Sequence, residues 1–335
     1  MMQVWLRAPI ALLIMLALTA LSSAQTVKFT VDFAIQGQQA PFVLAADNAQ
    51  FAQPGVNLLV DRGYGSADAI TKIASGAYDM GFADLGALIQ FNGRQGGAKV
   101  ISVLQIYDLA PMVILSLKKS NIARPGDLAG KNVASPTGSA SRVMFPLFAR
   151  ANGLDPAAVT WIDVTPQLRE TLLVQGRTDA TTAFITDVAG VERLGLHEND
   201  VSVMRYSDFG VRLYGNCVLT TPEFAGKNPD AVRKVIKAAV EAWKAAIANP
   251  DLPIAAIKKR EPLVDEKVER ARLDLIIKNA VLTEDVKRAG LGAINPAHLK
   301  QTIDMVTSTF NLPVLEPGLV YRPDYLPPQS ELRVQ

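Results

Sequence analysis

Two stretches of the chain spell out the same supersecondary pattern. Residues 73–84 read Ile-Ala-Ser-Gly-Ala-Tyr-Asp-Met-Gly-Phe-Ala-Asp, and residues 172–187 read Leu-Leu-Val-Gln-Gly-Arg-Thr-Asp-Ala-Thr-Thr-Ala-Phe-Ile-Thr-Asp. Each is a helix end, a glycine turn, an aspartate, a short apolar strand and a second aspartate. They lie about a hundred residues apart, so the chain builds one helix–turn–strand unit twice. The alternation of helix and strand in both copies points to an α/β fold.

Residues 127–145 carry the second constraint, Asp-Leu-Ala-Gly-Lys-Asn-Val-Ala-Ser-Pro-Thr-Gly-Ser-Ala-Ser-Arg-Val-Met-Phe. A brief strand is expected at Asn132 to Ala134, then a loop of small residues, Ser135 to Ser139. From Ser141 onward, Val143, Met144, Leu147 and Phe148 fall on helical spacing. Ser139 or Ser141 is placed to cap that helix, and Pro136 and Gly138 sit where the chain must turn. A small-residue loop at a helix N-terminus offers unpaired N–H donors and partial positive charge to one point, which suits an oxygen-rich group. An ordinary capped helix satisfies the same residues.

With both stretches in hand, the chain resembles the periplasmic solute-binding proteins of ABC importers, in the branch serving sulfonates, nitrate and thiamine-pyrimidine precursors. Asp127-Leu-Ala-Gly-Lys-Asn-Val-Ala134 and Gly176-Arg-Thr-Asp-Ala180 carry the likeness, which extends over nearly all of the chain after its first two dozen residues. The resemblance implies a two-lobed type II periplasmic-binding fold, each lobe a mixed sheet flanked by helices, with a ligand cleft between them. Lobe 1 is expected over 25–110 plus 216–335, and lobe 2 over 111–215. The implied partners are a small-molecule solute and a membrane permease with its ATPase. The protein is expected to act as a monomer, with no cofactor.

Residues 1–24 read as a secretory signal peptide. Arg7 supplies the positive start, Ile10 to Leu21 the apolar run, and Ser22-Ser23-Ala24 the small residues of a cleavage site. No cysteine stands at that site to take a lipid, so a periplasmic location is expected. The formal charge is only +2, from 34 basic and 32 acidic residues scattered together, which gives no nucleic-acid footprint. Cys217 is the only cysteine, so stability rests on apolar burial rather than an internal disulfide. At 49% hydrophobic, the chain has material for two cores.

Further candidates come from loops that follow expected strands. The first strand, Val27 to Phe33, leads into Ile35 to Pro41, where the pyrimidine-precursor branch often has Trp, Pro-Asn and His. This chain has Phe33, Ile35, Gln36 and Gln39 there. The aromatic and amide character persists while the Trp, Pro and His do not, and Gln36 and Gln39 read equally as solvated residues. Gly63-Tyr-Gly-Ser-Ala-Asp68 opens the next helix. Its third glycine position is Asp68, so the dinucleotide-binding fingerprint fails, leaving Tyr64 and Ser66 as ligand candidates. Asp84 ends a strand, where open α/β sheets bind ligands, and is equally placed to cap the following helix. Asp187 carries the same pair of readings, and the resemblance implies that it holds a ligand nitrogen. Thr137, Gly138, Ser139 and Ser141 complete the loop of the second lobe, and Tyr214 lies at the second of two crossings between lobes, the first being near Asp108–Pro111.

Catalytic readings find little support. His197 and His298 stand far apart and outside any metal-binding spacing. Gly138-Ser-Ala-Ser-Arg142 lacks the G-x-S-x-G elbow, and Ser116-Leu-Lys-Lys119 matches S-x-x-K at a strand end without partner motifs. An enzyme branch of the same superfamily relies on a cysteine-rich motif that this chain lacks. A periplasmic enzyme using the cleft remains the alternative class. With Asp84 and Asp187 present and Arg142, one turn into its helix, the nearest arginine, the residues favour a hydrogen-bond-donating, pyrimidine-like solute. A sulfonate, taurine or nitrate held by helix N-termini is the alternative ligand.

Overall fold

The computed structural model describes residues 24–334; the expected signal segment lies, up to residue 23, outside them. Two five-stranded sheets organise everything that follows. The first half of the chain runs β1 (Gln25–Thr30), α1 (Ala40–Asp47), β2 (Val56–Asp61), α2 (Ser66–Ala74), β3 (Met80–Asp84), α3 (Leu85–Gln95) and β4 (Ile101–Gln105). It continues through β5 (Met112–Leu117), β6 (Asn132–Ser135), α4 (Ala140–Val143), α5 (Phe145–Ala151), β7 (Thr160–Asp163), α6 (Arg169–Val174), β8 (Ala180–Phe184), α7 (Asp187–Arg193) and β9 (Val201–Arg205). Then come β10 (Asn216–Thr220), α8 (Pro222–Lys227), α9 (Pro229–Ala248), α10 (Asp251–Arg260), α11 (Glu266–Ile276), α12 (Glu284–Ala289) and α13 (Pro296–Phe310).

Strand order is β2-β1-β3-β10-β4 in one sheet and β7-β6-β8-β5-β9 in the other. The two orders share one plan. A central strand pairs in parallel with its two neighbours (β1 with β2 and β3; β6 with β7 and β8), and one antiparallel strand follows. That strand is β10 against β3 in the first sheet and β5 against β8 in the second. In both sheets it is therefore the strand adjoining a crossing that runs against the grain. The crossings pair with each other: Tyr107 N–H donates to Asn216 O at 2.9 Å, Gly215 N–H to Tyr107 O at 2.8 Å and Ala110 N–H to Leu213 O at 2.9 Å.

Both faces of the sheets are covered, which accounts for strands that are apolar throughout rather than alternating: β3, β4, β5 and β10 are buried at every position. Beneath the first sheet, Phe29, Phe42, Phe82, Tyr107 and Trp243 form a chain of ring contacts with centroids 4.6–6.1 Å apart, a spacing favourable for aromatic pairs. Trp243 comes from α9, whose Val232, Val235, Ile236, Ala239 and Val240 share that core. The last third of the chain thus returns to the first sheet. Cys217 is buried, its Sγ 3.5 Å from Ala83 O, and burial pushes its thiol well up.

Two helical runs are interrupted. The run from Ser141 breaks at Met144 into α4 and α5, because Pro146 in the first turn of α5 has no N–H to give to α4. Helix α11 ends as α-helix at Ile276 and continues as a π-helical turn, Ile277–Val281. Such turns accommodate a local insertion in the i→i−4 ladder. Here the turn leaves Ala280 O free to accept from Leu109 N–H, at the first crossing.

Candidate functional site

The loops at 63–68 and 135–141 meet. Ala67 N–H donates to Gly138 O at 3.1 Å. Gly65 has φ +134°, and a side chain there would run into Gly138 O, so only glycine allows the two backbones this close. Behind the contact is a cavity of about 350 Å³ of atom-free space, counting its mouth.

Its walls come from both sheets. The first sheet supplies Asp32, Phe33, Gln38, Gln39, Gly65 and Ser66; the second supplies Ser139, Ala140, Ser141, Arg169, Phe184 and Asp187. Six of the twelve residues proposed from sequence line it: Phe33, Gln39, Ser66, Ser139, Ser141 and Asp187. The other six do not. Gln36 turns to a separate outer groove. Tyr64 is 55% exposed, its ring covered by Arg62 and Lys72. Asp84 is buried behind the cavity, with Oδ1 accepting from Ala87 N–H at 2.8 Å as the cap of α3. Thr137 points outward to Asp163, and Gly138 is spent on the contact with Gly65 and Ala67. Tyr214 is buried against His298 with ring centroids 4.2 Å apart, and its hydroxyl accepts from Asn295 N–H.

The largest correction concerns charge. Arg169, rather than Arg142, is the arginine at the cleft: Arg142 pairs with Asp163 and lies over the Trp161 ring. Arg169 is only 3% exposed. Its Nη2 donates to Asp187 Oδ2 at 2.5 Å, its Nη1 to Thr182 O at 3.3 Å, and its guanidinium lies 5.4 Å from the Phe33 ring centroid. Its Nε is buried with no hydrogen-bond partner. Asp187 is correspondingly occupied. Oδ2 also accepts from Phe184 N–H at 2.9 Å, and Oδ1 accepts from Arg272 Nη1 at 3.2 Å. An acid held by two arginines has less capacity left to accept from a ligand nitrogen.

Asp32 closes the opposite wall. Oδ1 accepts from Gln39 Nε2 at 3.1 Å and Oδ2 from Asn216 Nδ2 at 2.7 Å. Burial pushes its carboxyl up to about 6, against the pull of those two amides. Each oxygen keeps a free lone pair. Beside it, Gln38 Oε1 is buried and unpartnered. In the same lining, at the starts of α2 and α4, the backbone N–H groups of Ser66, Ala140 and Ser141 find no acceptor among the described residues. The hydroxyls of Ser135, Ser139 and Thr182 hydrogen-bond in a chain, at 3.0 and 2.5 Å, that fixes the Ser139 side chain. Unmatched donors and acceptors thus line one cavity, together with the Phe33 and Phe184 rings. Buried groups left unmatched cost about 1–3 kcal/mol each, and a ligand with complementary ends removes that cost. Among the described residues, no three His, Cys, Asp or Glu side chains gather to hold a metal ion.

Asp32 and Arg169 are not among the residues that the sequence singles out. Asp32 ends the first strand, where the strand-end rule that nominated Asp84 applies equally. Arg169 opens the helix of the second repeat, so carrying the 63–68 loop forward by the repeat's offset would have pointed to its neighbourhood.

Comparison with known proteins agrees with this architecture. The family described as NMT1/THI5 like matches residues 36–252. The riboflavin-binding protein RibY of Chloroflexus aurantiacus is 22% identical over 68% of this chain and 64% of that protein, just under two thirds of its length. The taurine-binding periplasmic protein of Escherichia coli K12 is 26% identical over 68% of this chain and 69% of that one. Among solved structures, the periplasmic aliphatic sulphonate-binding protein SsuA of Escherichia coli superposes with TM-score 0.66 at 18% identity, over 86% of this chain and 88% of that one. SsuA of Xanthomonas axonopodis bound to MOPS gives TM-score 0.68 at 16% identity, over 90% and 99%. The two-lobed α/β fold is that of the periplasmic binding proteins, and the chain belongs to the NMT1/THI5-like family.

Proposed function

We propose that the protein is the extracytoplasmic solute-binding component of an ABC importer. It captures a small solute with an anionic head and a nitrogenous tail, then presents it to a permease and its ATPase. The observation that carries this reading is the set of groups gathered at one cavity: Arg169 Nε and Gln38 Oε1, both buried without a partner, with the Asp32 carboxylate and the first-turn N–H groups of Ser66, Ala140 and Ser141 in the same lining. An aminoalkanesulfonate such as taurine satisfies both donors and acceptors, with its short alkyl link between Phe33 and Phe184. The pyrimidine-like preference rested on two carboxylates without a cation. Asp187 is neutralised by arginine and Asp84 is withdrawn as a cap, so that premise no longer favours a heterocycle. The names of the taurine- and sulphonate-binding relatives support the revised preference.

The test is calorimetry and thermal shift of the mature protein against taurine, an unsubstituted alkanesulfonate, nitrate, an aminopyrimidine and riboflavin. Ligand at a hundred times its dissociation constant stabilises by about 2.7 kcal/mol. Taurine should give that shift and be recovered unchanged, as expected of a carrier. A shift with the aminopyrimidine or riboflavin alone overturns the ligand class, and turnover of bound taurine overturns the carrier reading. Taurine affinity should also fall as pH drops below about 6. Protonating Asp32 removes the charge that holds an ammonium group, whereas binding of the unsubstituted sulfonate should change little there.

A further inference from the structure

Behind Asp187 lies a cluster of buried charge that crosses from one sheet to the other. Arg169, Glu170 and Asp187 come from α6 and α7, packed on the second sheet. Arg272 and Glu269 come from α11, whose Leu273 and Ile276 belong to the core of the first. Arg272 is 2% exposed. It reaches across to Asp187 Oδ1 at 3.2 Å and to Glu170 at 3.4 and 3.5 Å. Glu269 is tied on the near side by Gly37 N–H, at 2.6 Å. The passage is open because residue 190 of α7 is glycine: a side chain there would strike both the Glu170 carboxylate and the Arg272 guanidinium.

The charges show what Arg272 does. Without it, the second sheet's half-site has one arginine between two carboxylates, a net negative surface facing the place where an anion must bind. With it, Asp187 and Glu170 have a second cation, shared with Glu269 on its own helix, and Arg169 need not serve the two acids alone. Glu170 feels the crowding, its carboxyl raised by burial and by Asp187. We propose that Arg272 is a positioning residue for binding, supplied by the opposite lobe. By docking on Asp187 and Glu170 as the lobes close, it frees the Arg169 guanidinium for the ligand's anion and so couples closure to anion affinity. The inference rests on the anion-binding reading above and deepens it.

The test measures taurine binding by calorimetry, and lobe separation by small-angle X-ray scattering, in wild type and two variants. Arg272→Met should weaken taurine by at least about tenfold, as expected when one partner of a buried charge cluster is removed. It should also widen the ligand-free protein. Arg272→Met combined with Glu170→Gln restores the charge balance and should recover most of that affinity, which a merely structural arginine would not allow. Wild-type affinity in Arg272→Met, or a folded double variant as weak as the single one, overturns the proposal. If taurine fails to bind wild type, the ligand reading falls and scattering decides the latch. A wider Arg272→Met supports it, and an unchanged one overturns it.

Discussion

The two repeated units share a frame and exchange their chemistry. In each, a glycine with positive φ (Gly76 at +75°, Gly176 at +67°) ends a helix and turns the chain into a strand. In each, the following aspartate accepts a backbone N–H from the neighbouring central strand at 2.8 Å: Asp79 from Lys28, Asp179 from Asn132. Beyond the strand the halves diverge. In the first sheet the acid is Asp84, and it accepts from the N–H of residue 87. In the second the acid is Asp187, and it accepts from the N–H of residue 184. Carboxylate and donor have changed places across one turn of chain. The consequence is chemical: Asp84 is buried with Oδ2 unpartnered and no cation beside it, whereas Asp187 stands in the cavity between two arginines. A repeat can therefore keep its glycine turn and its aspartate-to-backbone bond while assigning its strand-end acids opposite tasks.

The largest expected effect breaks the charged half. Arg169→Met leaves Asp187 and Glu170 sharing Arg272 alone, and removing one member of a buried ion cluster costs about 3–5 kcal/mol of stability. Urea denaturation should show that loss, with taurine binding abolished in whatever fraction folds. No comparable cation stands beside Asp84, so Asp84→Asn should leave stability near neutral pH unchanged or higher. Equal losses in the two variants would erase the distinction between the halves.

The uncharged half is broken by pH instead. Burial pushes the Asp84 carboxyl up to about 7, from 3.8 in the unfolded chain. A raised acid favours the folded state below the unfolded value, and that contribution is lost as pH rises through the folded one. From this group alone, stability should fall on the order of 2–3 kcal/mol between about pH 5 and 8. Asp32, raised to about 6, adds a slope in the same direction, ending earlier. Thermal unfolding across that range should give a flatter profile for Asp84→Asn than for wild type. Parallel profiles would mean that Asp84 is ionised and compensated in the fold.

What the sequence made legible follows from this division. Backbone features leave a mark in residue type: Gly76 and Gly176 where φ must be positive, small residues at 135–141 where two loops touch, and a helix face on α9 that includes Trp243. Both sheets and the meeting of the two loops could be anticipated from such marks. The charges of the cavity could not. Arg169 and Glu170 look like a solvated first turn, and Arg272, at 3% side-chain exposure, lies in Glu-Lys-Val-Glu-Arg-Ala-Arg, which reads as a surface helix. Their burial comes from the packing of α11 against α7, a contact between segments about 85 residues apart that no local spacing encodes.

The shared frame can be tested at its smallest joint. Asp79 and Asp179 are half-buried, and each makes one bond from carboxylate to backbone N–H in equivalent geometry. If the frame is one design used twice, Asp79→Ala and Asp179→Ala should cost about the same, roughly 1.5 kcal/mol each for a hydrogen bond to a charged group. The sites lie in different sheets and share no partner, so the double variant should lose the sum, within about 0.5 kcal/mol. Taurine affinity should be unaffected, because neither residue reaches the cavity. A cost at one site more than about twice that at the other would show that the halves differ in their scaffolding as well as their chemistry. A double loss well beyond the sum would show that the two sites are energetically coupled, through the crossings or the α11 cluster, whereas two separate transitions, each shifted by one variant only, would show independent halves.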